Sequence, residues 1–248
     1  MIDLRIVDAR RAVGWLEDDF HHFGVTIEHE GGRVVDVRMA APRTPWSTCP
    51  GAAKPLQALL GKPLVARASD VGSLLDMRLQ CTHVFDLAGL VLAHVANAGA
   101  RQPRRRYHVV VSDLPRHGAE NSPASFGRGE AWLYHDGELV LYWQIDGDRI
   151  TGPEQYAGRS QTYGFRAWTE SMPVQEAEYA TVLRRAIMVA GGRSISHDVF
   201  PTAASMGMHG LCHTYQPQQL DQALRNDGGR RDYSDRPQDL LRNVDDIP

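Results

Sequence analysis

The stretch "DDFHHFGVTIEHEGGRVVDVRMAAPR", residues 18–43, predicts a β-hairpin with acids and histidines at its entrance. Apolar or histidine side chains alternate with polar ones, as on a half-buried strand, at Val25, Ile27 and His29. Gly31-Gly32 is a strong signal for a two-residue turn. The return strand continues the alternation, with one face expected to carry Val35, Val37 and Met39.

Composition limits the class of protein. The 248 residues are 42 % hydrophobic and 23 % charged, which is ordinary for a soluble chain of one or two domains. The net charge of −3 gives no electrostatic reason to expect nucleic acid or an anionic membrane as partner. No segment has the roughly 20 apolar residues of a membrane span, and the first residues lack signal-peptide features. We therefore expect a cytoplasmic protein. Its three cysteines would be free thiols or metal ligands there.

Two helices follow the hairpin. "TPWSTCPGAAKPLQALLGKPL", residues 44–64, has leucines at helical spacing, and Gly61 and Pro63 would end the helix. "CTHVFDLAGLVLAHVANAG", residues 81–99, predicts a buried helix with Thr82 as N-cap and Gly99 just past its end.

After a polar link over residues 101–106 the pattern changes. Residues 106–115, 129–150 and 161–170 are predicted to be antiparallel strands, with an Asp-Gly turn inside the second segment. A helix of about 17 residues is expected between Pro173 and Gly191-Gly192. The predicted class is α+β: residues 1–100 as hairpin and helices, 101–225 as a β-meander with a long helix, and 226–248 as a polar surface arm.

Two cysteines stand where an extended segment turns into a predicted helix. The unpaired N–H groups of a helix start lower the pKa of a thiol, which makes Cys49 and Cys81 candidate nucleophiles. His83 would be the base, and Asp86, one turn later, would orient it. His21 or His22 would supply a second acid–base group if the hairpin lies beside both helix starts.

The same residue types fit a second chemistry. Cys49, Cys81 and His83 are possible ligands of a tetrahedral metal site, although their spacing matches no close-paired ligand signature. Two buried thiols that only pack are the third alternative.

Other residues are candidates for binding a substrate. His213 follows Cys212 in a cluster that would form a second site or the far wall of the first. Arg184 is able to hold a carboxylate or phosphate, or to lie on a solvated helix face. Aromatic candidates for the pocket are Trp46, Tyr134 and Trp143. No nucleotide-binding motif or nucleophile elbow is present in the sequence.

The motifs "PWSTCPGA" and "CTHVFDLAGL", with the later "LRRAIMVAGGR" and "CHTYQPQQL", resemble an uncharacterised bacterial family of unknown function. The resemblance implies an accessory or catabolic enzyme for small aromatic, steroid or acyl substrates. Residues 1–100 are also remotely similar to the NifU-type iron–sulfur scaffold. Cys49 would match its middle cysteine, and Cys81 with His83 its last histidine–cysteine pair. The first scaffold cysteine has no counterpart, since residues 20–22 occupy its place.

Together these patterns predict a hydrolase or lyase acting on a small molecule through a Cys/His site at the junction of the two units. It would need no cofactor or would use zinc, with an iron–sulfur cluster as a further possibility. A metal- or cluster-binding accessory protein and a non-catalytic ligand-binding or interaction module are the alternatives. Homo-oligomers would form through the C-terminal arm.

Overall fold

A computed structural model of the chain describes residues 1–98, 102–117, 125–242 and 244. The strands are β1 Ile2–Ile6, β2 Arg11–Glu17, β3 His22–Glu30, β4 Arg33–Arg43, β5 Arg104–Val111, β6 Gly129–His135, β7 Glu138–Asp146 and β8 Arg149–Gly152. The α-helices are α1 Ala53–Leu56, α2 Thr82–Ala98, α3 Phe165–Glu170 and α4 Val174–Gly191. The predicted α+β class is confirmed. Among the described helices, none is long and apolar enough to cross a membrane.

The chain divides into two compact units. The first comprises residues 1–106 and the described residues from 198 onward, and the second comprises residues 107–197. This division differs from the expected one, because residues 198–225 return to the first unit and do not extend the β-meander.

The first unit contains an antiparallel sheet in the order β4-β3-β2-β1, with residues 104–106 of β5 beside β1. The predicted hairpin is its β3–β4 pair. Gly31 and Gly32 have φ angles of +56° and +75°, which the tight turn requires and glycine adopts easily. Helix α2 packs on β2 and β3. A Cβ at Gly14 on β2 would lie 2.5 Å from Val91 of α2, so glycine permits this close contact.

The predicted alternation along β4 is wrong at one position. The register shifts between Glu28 and His29 of β3, so that His29 faces Val34. Val34 is consequently buried, while Val35 is 48 % exposed. A bulge of this kind moves neighbouring side chains to the opposite face of a strand.

The helix around Pro50 is broken into short pieces. A 3₁₀ turn, Cys49–Ala52, leads into α1, and a second 3₁₀ turn, Gln57–Leu59, follows it. Pro55 lacks a backbone N–H and interrupts regular helical hydrogen bonding. Gly61, at φ +76°, ends the segment as predicted.

Helix α2 starts one residue earlier than the predicted N-cap implies. The Cys81 carbonyl accepts the first helical hydrogen bond from the Phe85 amide at 2.9 Å. Cys81 therefore occupies the N-cap position predicted for Thr82, which is already helical. Gly99 lies outside the described residues.

The predicted polar link is also partly wrong. Residue 101 is outside the described residues, but β5 begins at Arg104. The fully buried Asp3 carboxylate of β1 forms salt bridges with Arg104 and Arg106. A buried carboxylate needs cationic partners. The ion pairs with Asp3 therefore stabilise Arg104 and Arg106 in a β-strand.

The second unit contains the strand order β5-β6-β7-β8 with antiparallel pairs, as predicted for a meander. The turn between β6 and β7 lies at Asp136 and Gly137, both with positive φ. Helix α4 confirms the long helix between Pro173 and Gly191.

One predicted strand of the second unit is a helix instead. Residues 165–170 form α3 after Gly164, which has a φ of +70° at the N-cap. Phe165 and Trp168, three residues apart, share one face of α3 and contact each other with ring centroids 5.6 Å apart.

The expected surface arm contributes to a core. Leu241 is 6 % exposed and packs with Val13 and Trp15 of β2. Its backbone N–H donates to Glu17 Oε2 at 2.8 Å. The described part of residues 226–248 is therefore anchored to the first unit by apolar packing and by polar contacts.

Candidate functional site

Three side chains meet where the β2–β3 connection lies beside the start of α2. They are Asp18 and His21 on the connection and His83 in the first turn of the helix. Among the described residues, they form the one group of three or more metal-binding side chains whose ligand atoms all lie within 4.8 Å of one another. The imidazole rings of His21 and His83 stack with centroids 3.8 Å apart. We call this group the carboxylate–imidazole cluster.

The two Asp18 oxygens have different surroundings. Oδ1 accepts hydrogen bonds of 2.8 Å from the backbone N–H groups of Phe20 and His21. It also lies 2.9 Å from His21 Nδ1. Oδ2 lies 3.2 Å from the same ring nitrogen and 3.5 Å from His83 Nε2. The main chain therefore orients the carboxylate so that Oδ2 faces both imidazoles.

Asp18 is ionised at neutral pH. Burial by itself would raise the pKa of the carboxyl, but the charge and hydrogen bond of His21 and the charge of His83 hold the pKa well below its usual range. The Phe20 amide acts in the same direction. A buried carboxylate that stays charged is available to hold a cation or to orient an imidazole.

His22 points away from this cluster. Its ring lies 5.3 Å from that of Trp15, and its Nδ1 is 3.8 Å from Glu17 Oε1. Burial lowers the pKa of His22, Glu17 opposes the shift, and Arg43 adds to it. Of the two adjacent histidines predicted as candidates, His21 joins the carboxylate–imidazole cluster and His22 joins a second polar group around Glu17.

The chain's three cysteines approach one another in the first unit. The His213 N–H donates to the Gln80 carbonyl at 2.8 Å, which brings residues 212 and 213 beside Cys81. Cys49 Sγ lies 3.4 Å from Thr214 Oγ1. Cys49, Cys81 and Cys212 are close enough to influence one another's ionisation. We call them the thiol cluster.

The predicted lowering of the thiol pKa values is wrong. Burial raises the pKa of Cys49 to about 11, although the Thr214 hydroxyl acts against the shift. Burial also raises the pKa of Cys81 well above its usual value, although the Val84 and His83 amides oppose it. Desolvation of a thiolate is the larger effect, and it leaves both sulfurs protonated near neutral pH.

Two other candidate residues of the first unit, Trp46 and His213, contact neighbouring groups of the protein. Trp46 is 3 % exposed and donates to the Tyr215 hydroxyl at 3.2 Å, with the Arg225 guanidinium 4.1 Å from its ring centroid. His213 Nδ1 lies 3.2 Å from the Leu79 carbonyl oxygen. Asp86 lies one turn after His83 on α2, and its role in orienting that ring stays a prediction.

The remaining predicted residues lie in the second unit. Trp143 is fully buried and contacts the aromatic rings of α3. The Arg184 guanidinium donates to the Gln161 carbonyl and lies 5.0 Å from the Phe165 ring centroid. Tyr134 is half-buried, with its ring 6.3 Å from that of His108. Their proposed roles in binding a substrate stay predictions.

Three polar residues of the site region were not among the predicted candidates. Asp18 stands in the opening stretch three residues before His21, and this spacing of an acid and a histidine is a usable signal. Glu17 and Arg43 form a buried ion pair of 3.1 Å. They are far apart in sequence at the ends of two strands, and no local pattern connects them.

Comparisons with known proteins match part of the chain to one family of unknown function. Residues 7–97 match the model of a family described as "Protein of unknown function (DUF2889)". No curated protein and no solved structure matches the chain. The matched segment includes the whole carboxylate–imidazole cluster with Cys49 and Cys81, and it ends before the second unit. The resemblance to an uncharacterised family is therefore supported for that segment.

Proposed function

We propose that this protein binds a divalent transition-metal ion between Asp18, His21 and His83, and that the ion activates a small organic substrate for hydrolysis or elimination. The observation that carries the proposal is the convergence of one ionised carboxylate and two imidazoles. This ligand set suits zinc and non-haem iron.

Two distances within the group are close to those that a bound metal requires. A metal with bonds of about 2.0–2.1 Å places neighbouring ligand atoms roughly 3.0–3.4 Å apart. Asp18 Oδ2 is 3.2 Å from His21 Nδ1 and 3.5 Å from His83 Nε2. Three protein ligands leave coordination positions for water or substrate, and the ion would polarise a carbonyl or activate the water.

A second candidate function uses the same residues without a metal. Asp18 and His21 form a carboxylate–imidazole pair at 2.9 Å, the arrangement that orients a histidine as general acid or base. Neither candidate assigns a nucleophilic role to Cys49 or Cys81, because burial keeps both thiols protonated.

Metal analysis distinguishes the two candidates. Protein purified without a histidine tag is dialysed against chelator and then titrated with Zn²⁺ and Co²⁺. One equivalent bound by the wild type and lost in Asp18→Asn and His83→Ala supports the metal site. His29→Ala is the matched control, since His29 is a histidine of the same unit outside the cluster.

An activity screen completes the test. The metal-loaded protein is assayed against aromatic and acyl esters and against β-hydroxyacyl compounds, with and without chelator. Turnover that disappears with chelator favours the metal-dependent enzyme. Turnover that survives chelator but is lost in His21→Ala favours the metal-free acid–base pair. Absence of binding to either ion would contradict the first candidate.

A further inference from the structure

The Arg43 side chain, at the end of β4, connects the site loop with the C-terminal segment. The side chain is 8 % exposed. Its Nη1 donates to the carbonyl oxygens of Asp19 at 3.1 Å and Gly229 at 2.8 Å. Its Nη2 has four oxygen acceptors: the carbonyls of Asp18 at 2.6 Å and His21 at 3.2 Å, Glu17 Oε1 at 3.1 Å and the Tyr233 hydroxyl at 3.3 Å.

Three of these acceptors belong to the loop that carries two of the proposed ligands. The carbonyls of Asp18, Asp19 and His21 all point toward one guanidinium. Carbonyl dipoles converge in this way when a cation neutralises their negative ends. The planar fork of arginine serves several acceptors at once, which a lysine ammonium with the same charge does not reproduce. Arg43 thus binds the backbone of the loop from which the Asp18 and His21 side chains project.

The C-terminal segment completes the surroundings of Arg43. Glu17 supplies its counter-charge, and Glu17 in turn accepts hydrogen bonds from the Tyr233 hydroxyl at 2.5 Å and the Leu241 N–H at 2.8 Å. Gly229 binds Arg43 directly. Residues 229–241 therefore hold both partners of the buried ion pair in place.

We propose that Arg43 is a positioning residue for the metal site, and that residues 229–241 act on the site through it. This inference rests on the proposed function, since it assigns a role toward the ion held by Asp18, His21 and His83. Arg43 contacts no proposed ligand atom. It sets the loop conformation in which Asp18 Oδ2 and His21 Nδ1 lie within one coordination sphere.

The main test compares Arg43→Lys with Arg38→Gln, which changes a partly exposed arginine of the same strand that pairs with Glu28. Each variant is titrated with Co²⁺, and its visible absorption spectrum is recorded at saturation. We expect Arg43→Lys to weaken Co²⁺ binding roughly 10- to 100-fold, the range seen when a group supporting a ligand is lost. The spectrum of the saturated variant should shift, because the ligand geometry changes. Arg38→Gln should match the wild type.

A structural role alone would lower the unfolding midpoint and leave the saturated spectrum unchanged. If Arg43→Lys folds and both its affinity and its spectrum equal those of the wild type, the inference is wrong. If Arg43→Lys does not fold, Tyr233→Phe serves instead, since it removes only the hydroxyl that contacts Glu17 and Arg43. A shifted Co²⁺ spectrum in Tyr233→Phe supports the inference, and an unchanged spectrum and affinity overturn it.

Hydrogen exchange of the metal-free protein separates this inference from the proposed function. The Phe20 and His21 amides donate to Asp18 Oδ1, so their exchange reports the loop conformation. Faster exchange of these amides in Arg43→Lys than in Arg38→Gln shows that Arg43 holds the loop even if the wild type binds no metal. In that case the proposed function fails and only the positioning of the loop stands. Equal exchange in both variants contradicts the positioning role.

Discussion

The carboxylate–imidazole cluster and the thiol cluster each include a residue at the N-terminal end of α2, but the pKa values of their acidic groups shift in opposite directions. His83 and Cys81 are two residues apart at the N-terminus of α2. Burial disfavours the charged form of Asp18 and of Cys81 alike. The pKa of Asp18 is nevertheless held low and that of Cys81 is raised.

Their neighbours explain the difference. Asp18 faces two imidazoles that carry positive charge when protonated, and it accepts two amide hydrogen bonds. Cys81 has amides of the helix start beside it, but its ionisable neighbours are the other two thiols, whose negative charge would repel a thiolate. A helix N-terminus therefore does not activate a cysteine that is buried without a cationic partner.

The largest expected effect concerns metal binding. Asp18→Asn should reduce Zn²⁺ affinity more than about 100-fold, because losing a ligand costs more than losing the group that supports it. Cys81→Ala should leave the affinity within about twofold of the wild type. Competition titration with a chromophoric chelator measures both values. Equal losses in the two variants would break the distinction between the clusters and would restore Cys81 as a ligand.

The second effect is the reactivity of the thiols. With its pKa raised to about 11, Cys49 should have a thiolate fraction at pH 7 roughly 100-fold below that of an exposed cysteine, and Cys81 should behave likewise. The partly exposed Cys212 should react first with Ellman's reagent in the folded protein, and the buried Cys49 and Cys81 much more slowly. Alkylation followed by peptide mass spectrometry identifies the site. Fast labelling of Cys81 in the folded protein would support the nucleophile hypothesis instead.

The third effect is a loss of stability in acid. A carboxyl whose folded pKa lies below its unfolded value of about 4 stabilises the fold above that pH and loses this contribution as the pH falls. Asp18 and Asp3, whose folded pKa is about 2, should both behave in this way. The free energy of unfolding of the metal-free protein should therefore fall between about pH 4 and pH 2.

Urea unfolding in the presence of chelator measures this slope. Asp18→Asn should flatten it, because an amide does not titrate. Asp36→Asn on β4 is the control, since that carboxylate is partly exposed and pairs with Arg38 on the strand surface. An unchanged slope in Asp18→Asn would mean that the carboxylate is not held in its ionised form by the two histidines.

The smallest expected effect concerns the hydrogen bond between Thr214 and Cys49 in the thiol cluster. The Thr214 hydroxyl lowers the pKa of Cys49 against the effect of burial. Thr214→Val should therefore slow the alkylation of Cys49 at pH 9 by a few-fold, the size expected when one weak hydrogen bond to the thiolate is lost. Thr151→Val, at an exposed position, is the control. Faster alkylation would indicate that Thr214 protects the sulfur by packing.

Several features of the fold were predictable because their signals are local. The Gly31-Gly32 turn, the long helix after Pro173 and the apolar run of α2 each depend on residues that are close in sequence. β1 and β2 were not predicted, although Leu4, Val13 and Trp15 in these strands are buried apolar residues. The segment 165–170 was mistaken for a strand because aromatic residues favour both structures until packing selects one.

The candidate site was predictable only in part. The sequence alone determined that acids and histidines stand before β3, that His83 opens α2, and that thiols occur at two helix starts. The tertiary structure decided that Asp18, and not a cysteine, meets His21 and His83, and that Arg43 holds their loop. These outcomes depend on contacts between residues as far apart as 18 and 83, or 43 and 229, and on burial. Local spacing in the sequence does not reveal these contacts or the burial. The pKa values and the distances between ligand atoms depend on both, because they are set by the groups that the folded chain brings together.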